Sequence, residues 1–358
     1  MRPGRRALLL GLVASTASSS AWADGGAVRR GRILAFPRDH GAHLNARTEW
    51  WYATGWLGTE AAPTAGFQVT FFRSRTGLAQ DNRSRFAARH LLFAHAAWTT
   101  LSGGAATHRH DQRIARWSGS TPAALGQAAL DDADVRLGSW SLRRDGTAWR
   151  AQVPARDFKL DLRLLPTQPL LLQGDAGFSR KGPKETEASH YYSEPQLQVM
   201  GTAAGERGRA WLDHEWSDQI LHPDAVGWDW IGMNLFDGGA LTAFVLRRRD
   251  GSTLWAGGSF RPAGGAAQSF GPEAVRFSAG RRWQSPATAA RYPVQWQVDT
   301  PAGAFSVRAL ADAQELDSRA STGTVYWEGL SELLDDQGRR VGLGYLEMTG
   351  YAAPLRMR

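Results

Sequence analysis

Ser139-Trp140-Ser141-Leu142-Arg143-Arg144, Asp145-Gly146, and Trp149-Arg150-Ala151-Gln152-Val153 read as a strand, a turn and a second strand. Alternate residues of an extended chain face opposite sides, so Trp140 and Leu142 share one face, and Trp149, Ala151 and Val153 share another. Asp-Gly is a two-residue hairpin signal, because glycine accepts the positive φ that the turn requires.

The same pattern recurs outward from this hairpin in both directions. Gly66-Phe67-Gln68-Val69-Thr70-Phe71-Phe72-Arg73 alternates before a Thr76-Gly77 turn, and Glu49-Trp50-Trp51-Tyr52-Ala53-Thr54 is an aromatic strand ending at Gly55. Residues 241–249 run into Asp250-Gly251 and then into 253–260. Val294-Gln295-Trp296-Gln297-Val298 alternates, and Gly342-Leu343-Gly344-Tyr345-Leu346-Glu347-Met348-Thr349-Gly350-Tyr351 reads as a closing strand. No window carries an apolar stripe of helical period. The chain is therefore all-β, built as sandwiches or barrels.

A faint repeat suggests two similar β-domains. Glu49-Trp50, Gly55-Trp56 and the strand at 67–73 are echoed by Glu215-Trp216, Gly227-Trp228 and the strand at 241–249. A loop-like stretch at 174–193 lies between the copies, and the domains are placed at 30–190 and 200–358.

Composition narrows the function classes. Of 358 residues, 42% are hydrophobic and 21% charged, the balance of a globular protein and not of a disordered one. The 16 tryptophans are a large aromatic commitment, since each indole also needs a partner for its N–H. All but three of the 42 basic residues are arginines, the exceptions being Lys159, Lys181 and Lys184. They are scattered rather than gathered in a stripe, which argues against nucleic acid. With no cysteine, the chain has no disulfide, thiolate nucleophile or thiolate metal ligand.

The N-terminus predicts export. Arg2, Arg5 and Arg6 precede the apolar run 7–14, and Ala21-Trp22-Ala23 is an A-x-A cleavage site, so residues 1–23 read as a signal peptide. No later stretch has the roughly 18 apolar residues of a membrane-spanning helix. The expected location is the periplasm or the exterior.

Hydrolytic and nucleotide motifs are missing. There is no G-x-S-x-G, no Gly-rich loop before a helix, and His214-Glu215 is not followed by the second histidine of a zincin. No metal and no cofactor are expected. What stands out is acid set among tryptophans: Trp211-Leu212-Asp213-His214-Glu215-Trp216 and Gly227-Trp228-Asp229-Trp230. On a regular strand Asp213 and Glu215 share one face, with His214 and Trp216 on the other. A carboxyl group against an indole wall loses hydration, its pKa rises, and it becomes a general acid. The same residues also suit a structural role, accepting from indole N–H groups or pairing with arginines. That role is preferred for Glu49 and Glu328, and the two readings are balanced for Asp213, His214 and Glu215. The candidate catalytic set is Asp213, His214, Glu215 and Asp229. The candidate ligand-binding set is Glu49, Trp50, Trp51, Tyr192, Trp216, Trp228, Trp230 and Trp327.

Several longer motifs are similar to those of one family. Phe36-Pro37-Arg38-Asp39-His40-Gly41-Ala42-His43, Thr48-Glu49-Trp50-Trp51-Tyr52, 211–216, 227–230, Tyr326-Trp327-Glu328-Gly329 and Gly344-Tyr345-Leu346-Glu347 resemble the AttH-like proteins. These are grouped with the carotenoid 1,2-hydratases (hydroxyneurosporene synthases) and carry the label of predicted secreted hydrolases. The resemblance implies two tandem lipocalin-like antiparallel β-barrels. Through exported members associated with ABC-transporter permease genes, it also implies an ABC transport system as partner. The leading expectation is a binding protein that holds an apolar or amphipathic, isoprenoid- or lipid-like ligand in a Trp-lined cavity. The alternative is a hydratase that protonates an isoprenoid alkene with a carboxylic acid. A purely structural interaction protein with a tryptophan core is the third.

Overall fold

In the computed structural model, the hairpin that opened the reading forms as expected. Trp140–Asp145 and Ala148–Pro154 pair antiparallel, with Asp145 opposite Ala148 and Gly146 at positive φ in the turn. Trp140, Leu142, Trp149, Ala151 and Val153 are buried together in one core. The structure describes residues 28–101, 105–120, 125–201, 206–219 and 221–355, and the expected signal peptide lies outside them.

Around this hairpin a long antiparallel sheet winds into a nearly closed barrel. Its strand order is Thr107–Trp117, His90–Thr100, Pro63–Arg75, Thr48–Gly58, Arg207–Ser217, Ala188–Gly201, Lys159–Leu165, Ala148–Pro154, Trp140–Asp145, Asp134–Leu137 and Gly126–Ala128. The two ends of this order touch. A second sheet repeats the plan: Gln268–Phe270, Thr253–Arg261, Ala240–Arg248, Ala225–Leu235, Arg340–Met348, Val325–Leu334, Gly303–Ala309, Gln295–Thr300 and Arg276–Ala279. Among the described residues the only helical elements are two three-residue 3-10 turns. Each barrel has its own apolar core. The all-β, two-barrel expectation stands.

Two details differ from the sequence reading. The first sheet continues through Arg207–Ser217, so the change of sheet falls between Ser217 and Ala225, later than the expected 190–200. The cause is hydrogen bonding: Arg207–Ser217 pairs on one side with Thr48–Gly58 and on the other with Ala188–Gly201. Second, matching strand orders puts Thr48–Gly58 in correspondence with Ala225–Leu235, and Arg207–Ser217 with Arg340–Met348. The Glu-Trp dipeptides at 49–50 and 215–216 are therefore not equivalent positions; they sit on adjacent strands of one barrel, with Glu49 opposite Trp216. The 174–193 stretch is also more ordered than a linker. Phe178–Arg180 pairs with Ala188–His190 inside it.

The barrels are joined by apolar packing and a polar bolt. Tyr52, Trp56, Trp211, Trp230, Leu330 and Tyr345 form a cluster between them. Gly66 permits the close approach, since a Cβ there would lie 2.8 Å from Tyr345 Oη and 3.0 Å from Leu330 Cβ. At a bulge in Ala188–Gly201, the backbone N–H of Gln196 donates to Asn234 Oδ1 at 2.7 Å, and Asn234 Nδ2 donates to the Ala210 carbonyl at 3.1 Å.

Candidate functional site

Strand alternation divides the acid-and-tryptophan motifs into two compartments. Trp50 pairs with Glu215 and Tyr52 with Asp213, and all four side chains face out of the first barrel toward the second. Trp230 pairs with Glu347, which pairs with Glu328, and these face back. Between the two walls lies a cavity of about 440 Å³, lined also by Trp228, Phe244, Tyr191, Tyr326 and Lys181.

The carboxyl groups in this cavity are unequally provided for. Asp213 accepts from Tyr191 Oη at 2.8 Å, Ser193 Oγ at 2.5 Å and Trp211 Nε1 at 2.7 Å. Burial pushes its pKa up to about 7 against the pull of those three donors. Glu215 is paired with Lys181 Nζ at 3.1 Å, and that ammonium lies over the rings of Phe244 (4.3 Å) and Tyr191 (4.7 Å). Glu328 and Glu347 stand directly opposite each other on neighbouring strands. Burial first and their mutual repulsion second push Glu328 well above the carboxylate range. Burial, with Asp213, Glu215 and Asp229 nearby, raises Glu347 to about 8 despite a hydrogen bond from Trp228. Glu347 keeps some accessible surface because it opens onto the cavity. His95, held to about 3 by burial, bonds Tyr326 Oη at 2.7 Å and ties the two walls together.

The opposite faces of the same strands form a second, closed network inside the first barrel. Arg73 Nε donates to Glu49 Oε2 at 2.8 Å, while Glu49 Oε1 meets His43 Nδ1 at 2.7 Å and His214 Nε2 at 3.0 Å. His43 Nε2 lies 2.9 Å from Asp39 Oδ1. A run of tautomers follows from Arg144, which has only donors. Arg144 Nη1 donates to His40 Nε2 at 2.8 Å, so His40 Nδ1–H donates to Tyr192 Oη at 2.6 Å. Burial holds His40 to about 2 and lowers His214, so each ring is neutral with a single N–H. His214 Nε2 faces Glu49 Oε1 at 3.0 Å, and its Nδ1 lies 3.1 Å from the Asp39 carbonyl and 3.2 Å from Tyr192 Oη.

His43, Glu49 and His214 bring three metal-type donor atoms within 4.8 Å of one another. The hydrogen bonds of these three atoms run among the residues themselves, and what weighs against a resident cation is the buried Arg73 guanidinium, which already offsets the Glu49 charge at 2.8 Å.

The sequence candidates thus separate. Asp213, Glu215, Trp50, Trp228 and Trp230 meet at the cavity. Glu49, Trp51, Tyr192, His214 and Trp216 gather in the closed network, where Trp216 stacks on His43 at 3.7 Å and Trp51 on His214 at 4.8 Å. Asp229 points into the second barrel, paired with Arg247 Nε at 2.7 Å and Tyr351 Oη at 3.0 Å; burial raises it to about 6. Trp327 is in that barrel's core, its indole N–H on the Asp312 carbonyl. Tyr52, Tyr191, Lys181 and Phe244 escaped the sequence reading, and Glu347 was not singled out. Glu328 was assigned to the barrel wall. The signal was the period of two, which puts Tyr326 with Glu328 and Tyr345 with Glu347.

Two antiparallel barrels in tandem, with a cavity between their facing walls, define a tandem lipocalin-like protein. The AttH-like family pattern matches residues 27–351, and the chain belongs to that family. It is 44% identical to an AttH (NE1406) from Nitrosomonas europaea whose crystal structure superposes with a TM-score of 0.81, over 90% of this chain and 99% of that one. Kievitone hydratase from Nectria haematococca shares the fold at 15% identity and a TM-score of 0.63, over 90% of this chain and 94% of that one. CghA shares it at 14% identity and a TM-score of 0.52, over 89% and 93%. Comparison with curated proteins gives no match. No helix among the described residues is long and apolar enough to cross a membrane.

Proposed function

We propose that this exported protein binds an apolar or amphipathic ligand, isoprenoid- or lipid-like, in the cavity between its barrels. The observation that carries the reading is the cavity itself. It is about 440 Å³ in volume, walled by Trp50, Trp228, Trp230, Phe244 and Tyr326, with a few carboxyl groups converging on it. Within the barrels, Trp51, Trp140, Trp149 and Trp327 are buried in the apolar cores. Mass spectrometry of the apolar extract of the purified, exported protein tests this. A stoichiometric ligand is expected, and its loss on Trp228→Ala with Trp230→Ala places it in the cavity. An empty extract, together with no binding of long-chain probes, overturns the reading.

A second reading, hydration of an isoprenoid alkene, is favoured by one observation: carboxyl groups held protonated near neutrality face aromatic rings. A neutral carboxylic acid would give its proton to the double bond, and the ring faces would steady the cation. Water would then attack, returning a proton to the carboxylate. Incorporation of ¹⁸O from labelled water into candidate alkenes tests it. Activity should be lost in E328Q/E347Q and kept in Asp229→Asn, whose carboxyl faces the other way.

A further inference from the structure

We infer that the loop at 76–89 docks the protein on an anionic lipid bilayer and sets the mouth of the cavity against it. The docking stands on the loop itself; its purpose, passage of an apolar ligand between bilayer and cavity, rests on the cavity-binding reading.

The cavity has a deep end and an open end. Tyr52, Asp213, Thr70 and His95 stand in one row of the first sheet, and all four are buried. Four residues along the strands, about 13 Å away, a second row holds Thr48, Ser217, Ser74 and Leu91. Both rows line the cavity. Ser74 and Leu91, with Gln219 and Leu221 of the lining, keep accessible surface. The strands carrying Ser74 and Leu91 end at the pair Arg75 and His90, and the loop joins them. It therefore leaves the sheet at the mouth.

The loop displays apolar and basic groups together. Leu78 is 71% exposed and Phe86 65%. A single exposed apolar residue is ordinary, but two on one short loop at a cavity mouth form a patch. Residues 75–89 also hold Arg75, Arg83, Arg85 and Arg89 against one acid, Asp81. Arg75, Arg83 and Arg85 are exposed, and the Arg85 guanidinium lies 5.6 Å from the centre of the Phe86 ring. The neck is tied: Thr76 N–H donates to the Arg89 carbonyl at 2.9 Å, and Thr76 Oγ1 to the Ala88 carbonyl at 2.8 Å. Gln80 Nε2 donates to the Leu78 carbonyl at 3.1 Å.

Charge selects the occupant. Apolar side chains beside arginines match the boundary between acyl chains and anionic headgroups. A two-fold contact with a second copy of this loop would set arginines against arginines.

The test uses the full exported protein and vesicles of phosphatidylcholine, alone or mixed equally with phosphatidylglycerol. In flotation, the mixed vesicles should bind at least about tenfold tighter than phosphatidylcholine, and less tightly as salt is raised. Leu78→Ser with Phe86→Ser, and separately Arg83→Gln with Arg85→Gln, should each weaken that binding about tenfold or more. Met200→Ser, an exposed apolar site at the opposite end of the sheet, should not. The chain has no cysteine, so a nitrobenzoxadiazole label on Ser84→Cys reports the loop alone. Its emission should shift to the blue on mixed vesicles, and that of the same label on Met200→Cys should stay. An unshifted loop label, or equal flotation of the parent and both double variants, overturns the proposal. So does a Leu78- and Phe86-dependent dimer without vesicle binding, which gives the patch to a second copy. Binding of 1-decanol in solution, followed by calorimetry, separates the two readings. Decanol bound without vesicle docking leaves the cavity reading and removes this one; loop-dependent docking without decanol binding does the reverse.

Discussion

Asp213 and His214 are consecutive residues whose side chains belong to different compartments. Asp213 accepts from Tyr191, Ser193 and Trp211 at the cavity between the barrels. His214 is fully buried in the first barrel, hydrogen-bonded to Glu49. One peptide step separates a wall of the proposed ligand site from the network that holds the barrel end together.

That network should be costly to break. Arg73 bridges Glu49 and the carbonyls of His43 and Ala46, all in a dry interior. Arg73→Met strands the Glu49 charge and is expected to cost about 3–5 kcal/mol in urea unfolding. A loss below about 1 kcal/mol would show that the network carries little stability.

The bolt between the barrels has a smaller expected effect. Asn234→Ala leaves the Gln196 N–H and the Ala210 carbonyl without partners at a buried junction. The expected loss is about 1–3 kcal/mol by chemical denaturation, with each barrel's core intact. Unchanged stability would mean that water replaces the amide.

Stability should pass through a maximum between acid and alkaline limbs. Asp39, held to about 2 against an ordinary 3.8 by His43 and the Ala35 N–H, adds stability that is present above 3.8 and lost as pH falls toward 2. Glu347 runs the other way. Raised from 4.5 to about 8, it favours the folded state below 4.5, and that contribution is lost as pH rises through 8. E347Q should therefore flatten the alkaline limb, gaining about 2–4 kcal/mol relative to the parent protein at pH 8 and little at pH 4. Parallel stability–pH curves for the two proteins would remove Glu347 as the cause.

Chelation should leave the protein unmoved. Because the buried Arg73 guanidinium already offsets the Glu49 charge, excess EDTA is expected to shift Tm by less than about a degree, and added Zn²⁺ likewise. A shift of several degrees in either experiment would assign an ion to that triad.

The architecture was largely legible in the sequence, because strands announce themselves by a period of two and by Asp-Gly turns. The same periodicity separated Asp213 and Glu215 from His214 before any coordinates. It could not say which face was cavity and which was core, since that depends on what packs opposite, and both faces of these strands are apolar and aromatic. Matching the Glu-Trp dipeptides misaligned the two halves, because short motifs recur on adjacent strands as readily as on equivalent ones. Lys181 was missed for another reason. It lies in a stretch with no periodicity, and only the fold brings it against Glu215.

Each barrel closes by returning its last long strand to its first, and the cavity wall is made of those closing strands. Thr48 at the start of one strand pairs with Ser217 at the end of the other, so the first wall exists only after the entire first sheet has been threaded. Loop closure over such a span is slow compared with forming local hairpins. If the chain crosses a membrane unfolded, the hairpin at 140–154 would form early on the far side, while Trp50, Tyr52, Asp213 and Glu215 would remain apart until the barrel is complete. The ligand site is thus a late product of folding, and a chain interrupted just before Arg207 would carry Trp50, Tyr52 and Tyr191 without Asp213, Glu215 or the facing wall.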